Sequence, residues 1–224
     1  MEASIRQVFE MRAKQEKREK VERFRRLNAY VKPGQILFAG SSLMEQFPIY
    51  EFLQDFDLPY TIYNRGVGGF TTQELLENME PCVYALEPAH VFINIGTNDL
   101  NGPDYEEDAL IERYMQILTG IREHLPRATL HLMAYYPISE TVGSRVPFMA
   151  ELLKYRTNDR INAANERVRA LAEQFGAQFI DLNAPLRDEK GELKEEFSIE
   201  GMHMYANGYK PVLDQLLPVL AALK

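Results

Sequence analysis

Five short apolar segments alternate with segments of helical periodicity, and this alternation constrains the fold more than any other feature. Each apolar segment is typical of a strand buried on both faces, and each stops at or near a glycine, asparagine, proline or aspartate. Strands that alternate with helices favour βαβ units, and therefore an α/β fold with a mostly parallel five-stranded sheet between two layers of helices. The predicted strands are 36–39, 60–63, 90–95, 129–135 and 178–180.

Capping residues predict where several helices begin. Thr71 and Glu74 have the spacing of a capping box, and Asp104 and Glu107 repeat that spacing. The second pair precedes a helix that is expected to end near residue 124. Two further helices are predicted: one over 151–175, and a final one that is capped by Asn207 and kinks or ends early at Pro218.

The chain is expected to form a helical extension, residues 1–30, followed by a single domain, residues 31–224. The extension is rich in Lys and Arg and has a narrow apolar stripe. This pattern favours a surface helix that docks through the stripe, but a homodimer contact and an arm that binds anionic surfaces remain alternatives. The stripe consists of Ile5, Val8, Phe9, Met11, Val21, Phe24 and Leu27.

Composition excludes several classes of function. The formal charge of −8 argues against nucleic acid as a partner, because an acidic surface repels phosphates. No segment has the roughly 18 apolar residues of a membrane span, and no signal-peptide pattern is present. The single cysteine, Cys82, rules out an internal disulfide and agrees with a reducing compartment. We expect a cytoplasmic protein.

Ligand sites of parallel α/β sheets lie beyond the carboxyl ends of the strands, so chemistry is sought there. The first strand runs into Gly40, Ser41 and Ser42, which would present a serine at the rim of the sheet. The serine is not in a G-x-S-x-G nucleophile elbow, because residue 44 is Met. The alternative is that one of the serines only caps the next helix.

The second and third strand ends carry groups that could bind an anion through N–H donors. Residues 66–69 contain three glycines, but the G-x-G-x-x-G phosphate pattern is not completed because residue 71 is Thr. Asn98, after the third strand, could donate its side-chain amide into a cleft. The alternative for both segments is a tight turn.

Near the carboxyl terminus, Glu200 precedes His203 by three residues, so the carboxylate can bond the imidazole within one turn. The alternative is a surface histidine. Together the strand-end residues contain every part that acyl transfer requires. Ser42 is the predicted nucleophile, His203 the base and Glu200 its orienting acid. The predicted oxyanion hole consists of the backbone N–H groups of Ser42 and Gly69 and the amide of Asn98.

The four blocks resemble those of the SGNH hydrolases, also called GDSL-type esterases and acylhydrolases. The blocks are Gly40–Leu43, Asn64–Gly69, Gly96–Asp99 and Glu200–His203. The resemblance implies a flavodoxin-like three-layer α/β/α sandwich and ester hydrolysis without a cofactor. Ser41 and Glu200 depart from the family, which usually has Asp at both positions.

The expected activity is that of a serine esterase on small acyl esters, such as acetylated carbohydrates or short-chain lipid esters. The alternatives are an O-acyltransferase that uses the same site and a non-catalytic protein that binds a ligand. No His, Cys, Asp or Glu group has metal-ligand spacing, so no metal is expected. Cys82 is interpreted as a packed residue, whereas Tyr135 and Tyr136 either line the substrate pocket or pack in the core.

Overall fold

A single parallel sheet forms the centre of the structure, a computed structural model that describes the backbone of residues 2–223 and the side chains of residues 7–223. Its strands are β1 (Ile36–Gly40), β2 (Ile62–Gly66), β3 (His90–Asn94), β4 (Thr129–Met133) and β5 (Gln178–Ile180). They are ordered β2-β1-β3-β4-β5, and every neighbouring pair is parallel. This is the flavodoxin-like order, so the predicted fold class is confirmed.

Helices cover both faces of the sheet. In β1, Leu37 and Ala39 point to one face and Ile36 and Phe38 to the other, because side chains alternate along a strand. The first face packs against α1, α4, α5, α6, α8 and α9, and the second against α2, α3 and α10, where the helices are α1 (Glu2–Leu27), α2 (Ser42–Glu45), α3 (Ile49–Asp55), α4 (Thr72–Leu76), α5 (Met79–Cys82), α6 (Glu107–His124), α7 (Glu140–Gly143), α8 (Pro147–Leu153), α9 (Asn158–Gln174) and α10 (Ala206–Ala221).

The β2 strand begins two residues later than predicted. It lies at the edge of the sheet, so a purely apolar run is not required there. Its Arg65 is buried, with the guanidinium carbon 4.8 Å from the centre of the Phe24 ring of α1. The polar residues of β2 are therefore covered by the N-terminal helix, which the sequence pattern of the strand alone did not indicate.

The predicted helix 151–175 is wrong, because the structure divides this segment between α8 and α9. Thr157 is the N-cap of α9, and its hydroxyl accepts a hydrogen bond from the Arg160 N–H at 3.2 Å. A side-chain cap satisfies one of the free N–H groups at a helix start, so it favours a new helix at this point. The turn between the two helices holds Arg156, whose side chain is buried.

Two other capping predictions have opposite outcomes. The Thr71 capping box is confirmed, since its hydroxyl accepts from the Glu74 N–H and the Glu74 carboxylate accepts from the Thr71 N–H. The prediction for Asp104 is wrong, because the N-cap of α6 is Glu106, which makes no side-chain capping bond.

The start and end of the final helix also differ from prediction. Asn207 is not the cap: it lies in the first turn of α10, and its amide donates to the Glu196 carbonyl at 2.9 Å. The predicted early end at Pro218 is wrong as well. Pro218 falls in the last turn of the helix, where the loss of one backbone hydrogen bond does not prevent the helix from reaching residue 221.

The α1 helix docks through its carboxyl-terminal half. Val21 and Phe24 are buried in the core on the side of α6, as the stripe predicts. The rest of the stripe does not pack: Val8, Phe9, Met11 and Leu27 are exposed, and the Ile5 side chain lies outside the described residues. No helix within residues 2–223 combines the length and apolar character that crossing a bilayer requires.

Candidate active site

The turn after β1 places Ser42 at the switch point of the sheet, between the ends of β1 and β3. The turn requires a glycine, because a Cβ at Gly40 would collide with the Asn94 carbonyl oxygen. Ser41 is fully buried and its hydroxyl makes no capping bond, although it occupies the N-cap position of α2. Ser42 is the first residue of that helix, and its hydroxyl faces another part of the chain.

That other part is the loop before α10, which carries Glu200 and His203. Ser42 Oγ lies 2.9 Å from His203 Nε2, and His203 Nδ1 lies 2.5 Å from Glu200 Oε1. The loop is closed by a hydrogen bond from the Ile199 N–H to the His203 carbonyl at 2.9 Å. The structure thus brings together three residues that are far apart in sequence and that were predicted to act together.

The hydrogen bonds define how the imidazole can work. A hydrogen bond from His203 and the positive charge of its imidazolium lower the pKa of Glu200, although burial opposes the ionisation of the carboxyl group. An ionised Glu200 only accepts hydrogen bonds, so Nδ1 carries the proton of a neutral His203. The lone pair of Nε2 then faces Ser42 Oγ and can take its proton.

The glycine loop after β2 lies beside Ser42. The Glu45 carboxylate accepts a hydrogen bond from the Gly68 N–H, so this N–H is already occupied. Gly69 has φ +73°, a conformation that favours glycine. Within the described part of the chain, the N–H groups of Gly69 and Ser42 have no hydrogen-bond partner. These two groups are therefore the ones that remain available to a ligand.

Two lysines of α1 hold this loop in place. Lys17 Nζ donates to the Gly69 carbonyl at 2.7 Å and to the Glu74 carboxylate at 2.7 Å. Lys20 forms an ion pair with Glu45, the residue that engages the loop from the other side. Sequence reasoning missed these contacts. Both lysines lie one turn apart on the helix, but nothing local in the sequence indicates which acids they meet.

The Asn98 amide is held on both sides. Its Nδ2 donates to the Phe70 carbonyl at 2.9 Å, and its Oδ1 accepts from Arg156 Nη2 at 2.8 Å. The neighbouring Asp99 accepts hydrogen bonds from Thr72, at 2.9 Å from the backbone N–H, and so ties this loop to α4. Arg156 was not predicted, because an arginine between two helices has the sequence signature of an ordinary surface charge.

This geometry agrees with what comparison with known proteins finds. The profile of the GDSL-like Lipase/Acylhydrolase family matches residues 49–210, which is most of the chain. The chain belongs to this family. The predicted resemblance is therefore confirmed, and with it the class of enzyme: a GDSL-like hydrolase of carboxylic esters.

Three relatives illustrate the range of the family. A solved structure from Streptococcus pneumoniae, provisionally described as a platelet activating factor, is 28% identical, with a TM-score of 0.86 over 97% of this chain and 99% of that one. The platelet-activating factor acetylhydrolase IB subunit alpha1 of Bos taurus is 23% identical over 86% of this chain and 77% of its own length. An N-acylneuraminate cytidylyltransferase of Escherichia coli is 22% identical over 86% of this chain, which spans only 42% of that protein.

Other candidate residues of the GDSL-like chain lie away from Ser42 or are inaccessible. Tyr135 and Tyr136 do not line a pocket: both are buried, and the Tyr135 hydroxyl donates to the Ile95 carbonyl at 2.7 Å. Burial raises the pKa of the Cys82 thiol to about 12, as in a packed, unreactive cysteine. Residues 2–223 contain no group of three or more His, Cys, Asp and Glu side chains that could hold a metal.

Proposed function

We propose that this GDSL-like chain is a serine esterase that cleaves small acyl esters through an acyl-enzyme on Ser42. The observation that carries the proposal is the chain of contacts from Ser42 Oγ to His203 and on to Glu200, at 2.9 and 2.5 Å. A serine hydroxyl is a weak nucleophile until a neighbouring base takes its proton, and these distances permit that transfer.

The reaction follows from the positions of the protons. As Ser42 Oγ bonds to the ester carbonyl carbon, its proton moves to His203 Nε2, and Glu200 stabilises the imidazolium that forms. His203 then returns the proton to the departing alkoxide, which leaves as the alcohol. Water attacks the acyl-enzyme in the same way, with His203 as base, and releases the carboxylic acid and free Ser42.

The negative oxygen of the tetrahedral intermediate requires N–H donors close to Ser42. The backbone N–H groups of Ser42 and Gly69 are the proposed donors, because neither has a partner in residues 2–223. Asn98 is the third, since only one of its two amide hydrogens is used by the Phe70 carbonyl. Donors that are fixed in advance stabilise the transition state without reorganisation.

A small acyl group, such as acetyl, is the proposed substrate moiety. Support comes from the acetylhydrolase named among the relatives. The alcohol part, whether sugar or lipid, is left to the assay.

The test is turnover of p-nitrophenyl acetate, butyrate and octanoate, with Ser42→Ala and the matched control Ser41→Ala. We expect kcat/KM to be highest for acetate, Ser42→Ala to fall to background, and Ser41→Ala to stay close to wild type. Residual turnover by folded Ser42→Ala would exclude the proposed nucleophile. Transfer of the acetyl group to added alcohols at the expense of hydrolysis would identify an acyltransferase instead, and a folded wild type without turnover or acylation would identify a non-catalytic binder.

A further inference from the structure

Arg156 is a buried cation without a carboxylate partner in direct contact. Its side chain is 1% exposed, and its three nitrogens donate to Asn98 Oδ1, to Asn101 Oδ1 and to the Met202 sulfur. Within residues 7–223, no carboxylate oxygen lies within ion-pair distance of it. A buried charge is costly unless it is paired, so an arginine in this position calls for a reason.

The guanidinium remains charged at neutral pH. Burial lowers the pKa of Arg156 to about 9, while the more distant carboxylates of Asp99 and Glu200 oppose that decrease. The site therefore holds a positive charge in a dry environment, in contact with the amide of Asn98.

The contact also fixes which way the Asn98 amide points. Arg156 can only donate and the Phe70 carbonyl can only accept, so Oδ1 must face the arginine and Nδ2 the carbonyl. In this orientation the second hydrogen of Nδ2 is left for a ligand. A flipped amide would point oxygen at oxygen and would present a repulsive lone pair to the substrate anion.

We propose that Arg156 is a positioning residue of the oxyanion hole: it fixes the donor orientation of the Asn98 amide and places a positive charge behind it. The inference rests on the proposed function, because only a reaction that develops a negative oxygen beside Asn98 uses this arrangement. The hydrogen bond that Arg156 donates to Oδ1 also polarises the amide and makes its N–H a stronger donor.

The expected effect is smaller than the loss of the donor itself. Removal of one oxyanion donor typically lowers kcat by about 10²–10³-fold. A charge some 7 Å from the developing anion, in surroundings of intermediate dielectric, contributes about 10–100-fold. We therefore expect Arg156→Gln to lower kcat by about 10–100-fold, with little change in KM.

The experiment compares Arg156→Gln, Arg156→Lys, Asn98→Ala and the double variant Arg156→Gln/Asn98→Ala in acetate ester hydrolysis. Arg122→Gln is the matched control, because Arg122 also binds carbonyl groups, of Ala128 and Phe175, but far from Ser42. We expect the loss in Arg156→Gln to disappear on the Asn98→Ala background, Arg156→Lys to recover part of kcat, and Arg122→Gln to keep wild-type kcat.

Two further measurements separate positioning from folding. Guanidinium ion added to Arg156→Ala should restore part of kcat, which a role in folding alone does not predict. In NMR spectra, the two amide protons of Asn98 should shift in Arg156→Gln but not in Arg122→Gln. Equal losses with and without Asn98, or unchanged Asn98 resonances, would overturn the inference while wild-type turnover stays intact. A wild type without any ester turnover would instead overturn the proposed function, and the Asn98 resonances would still test the contact.

Discussion

Replacement of Glu200 by Gln tests whether the carboxylate, rather than the shape of its side chain, drives the chemistry. Gln keeps the size of the side chain and can still accept from His203 Nδ1, but it has no charge. At the observed 2.5 Å contact, the charge centres of the carboxylate and the imidazolium are about 4 Å apart. In a medium of effective dielectric 20, that attraction is about 4 kcal/mol.

Partial exposure of the pair reduces this value, because 21% of each side chain is accessible to water. We therefore expect a loss of about 3 kcal/mol of transition-state stabilisation, which corresponds to about 10²-fold in kcat. KM should change little, because the imidazolium forms only as the reaction proceeds.

The assay is steady-state hydrolysis of p-nitrophenyl acetate at neutral pH, with Glu196→Gln as the control because Glu196 is exposed and near in sequence. Glu200→Asp keeps the charge but withdraws it by one methylene, so an intermediate loss is expected. A folded Glu200→Gln variant with kcat within threefold of wild type would refute the reasoning and assign the orienting role to another acceptor.

Further predictions concern the glycine loop and the stability of the sheet. Lys17→Met removes the bond to the Gly69 carbonyl and should lower kcat about 3–10-fold, a charge-assisted contact being worth about 1–2 kcal/mol; Lys14→Met, on the exposed side of the helix, should not change it. Burial lowers the pKa of His131 to about 4, below its ordinary 6.5, so its contribution to stability is complete above pH 6.5 and is lost as pH falls towards 4. In urea unfolding between pH 7 and 4, wild type should lose about 3 kcal/mol more than His131→Gln, and His124→Gln should follow wild type. A kcat for Lys17→Met equal to that of Lys14→Met, or parallel pH curves for wild type and His131→Gln, would contradict these expectations.

The positions of Ser42, Asn98 and His203 were predictable because each follows a local signal. A buried strand that stops at small or polar residues identifies the carboxyl edge of the sheet, and the flavodoxin-like order brings these edges together. The Glu200 carboxylate three residues before His203 is also a local pattern. Their relation in space therefore needed only the sheet topology, which the alternation of strands and helices supplied.

Arg156, Lys17 and Lys20 could not be predicted in the same way. Their partners lie 25 to 58 residues away in the sequence, and the same residue types are common on exposed helices. The break between α8 and α9 escaped for a related reason. The apolar periodicity continues across it, while the cap at Thr157 and the burial of the adjacent arginine depend on the tertiary fold.

Covalent labelling of Ser42 tests the central claim most directly. The folded protein is treated with a fluorophosphonate, which reacts with an activated serine, and the adduct is located by mass spectrometry of its peptides. We predict one adduct, on Ser42, in wild type and in Ser41→Ala, and none in Ser42→Ala. An adduct on another residue, or a folded wild type that does not react, would contradict the assignment of Ser42 as the nucleophile activated by His203.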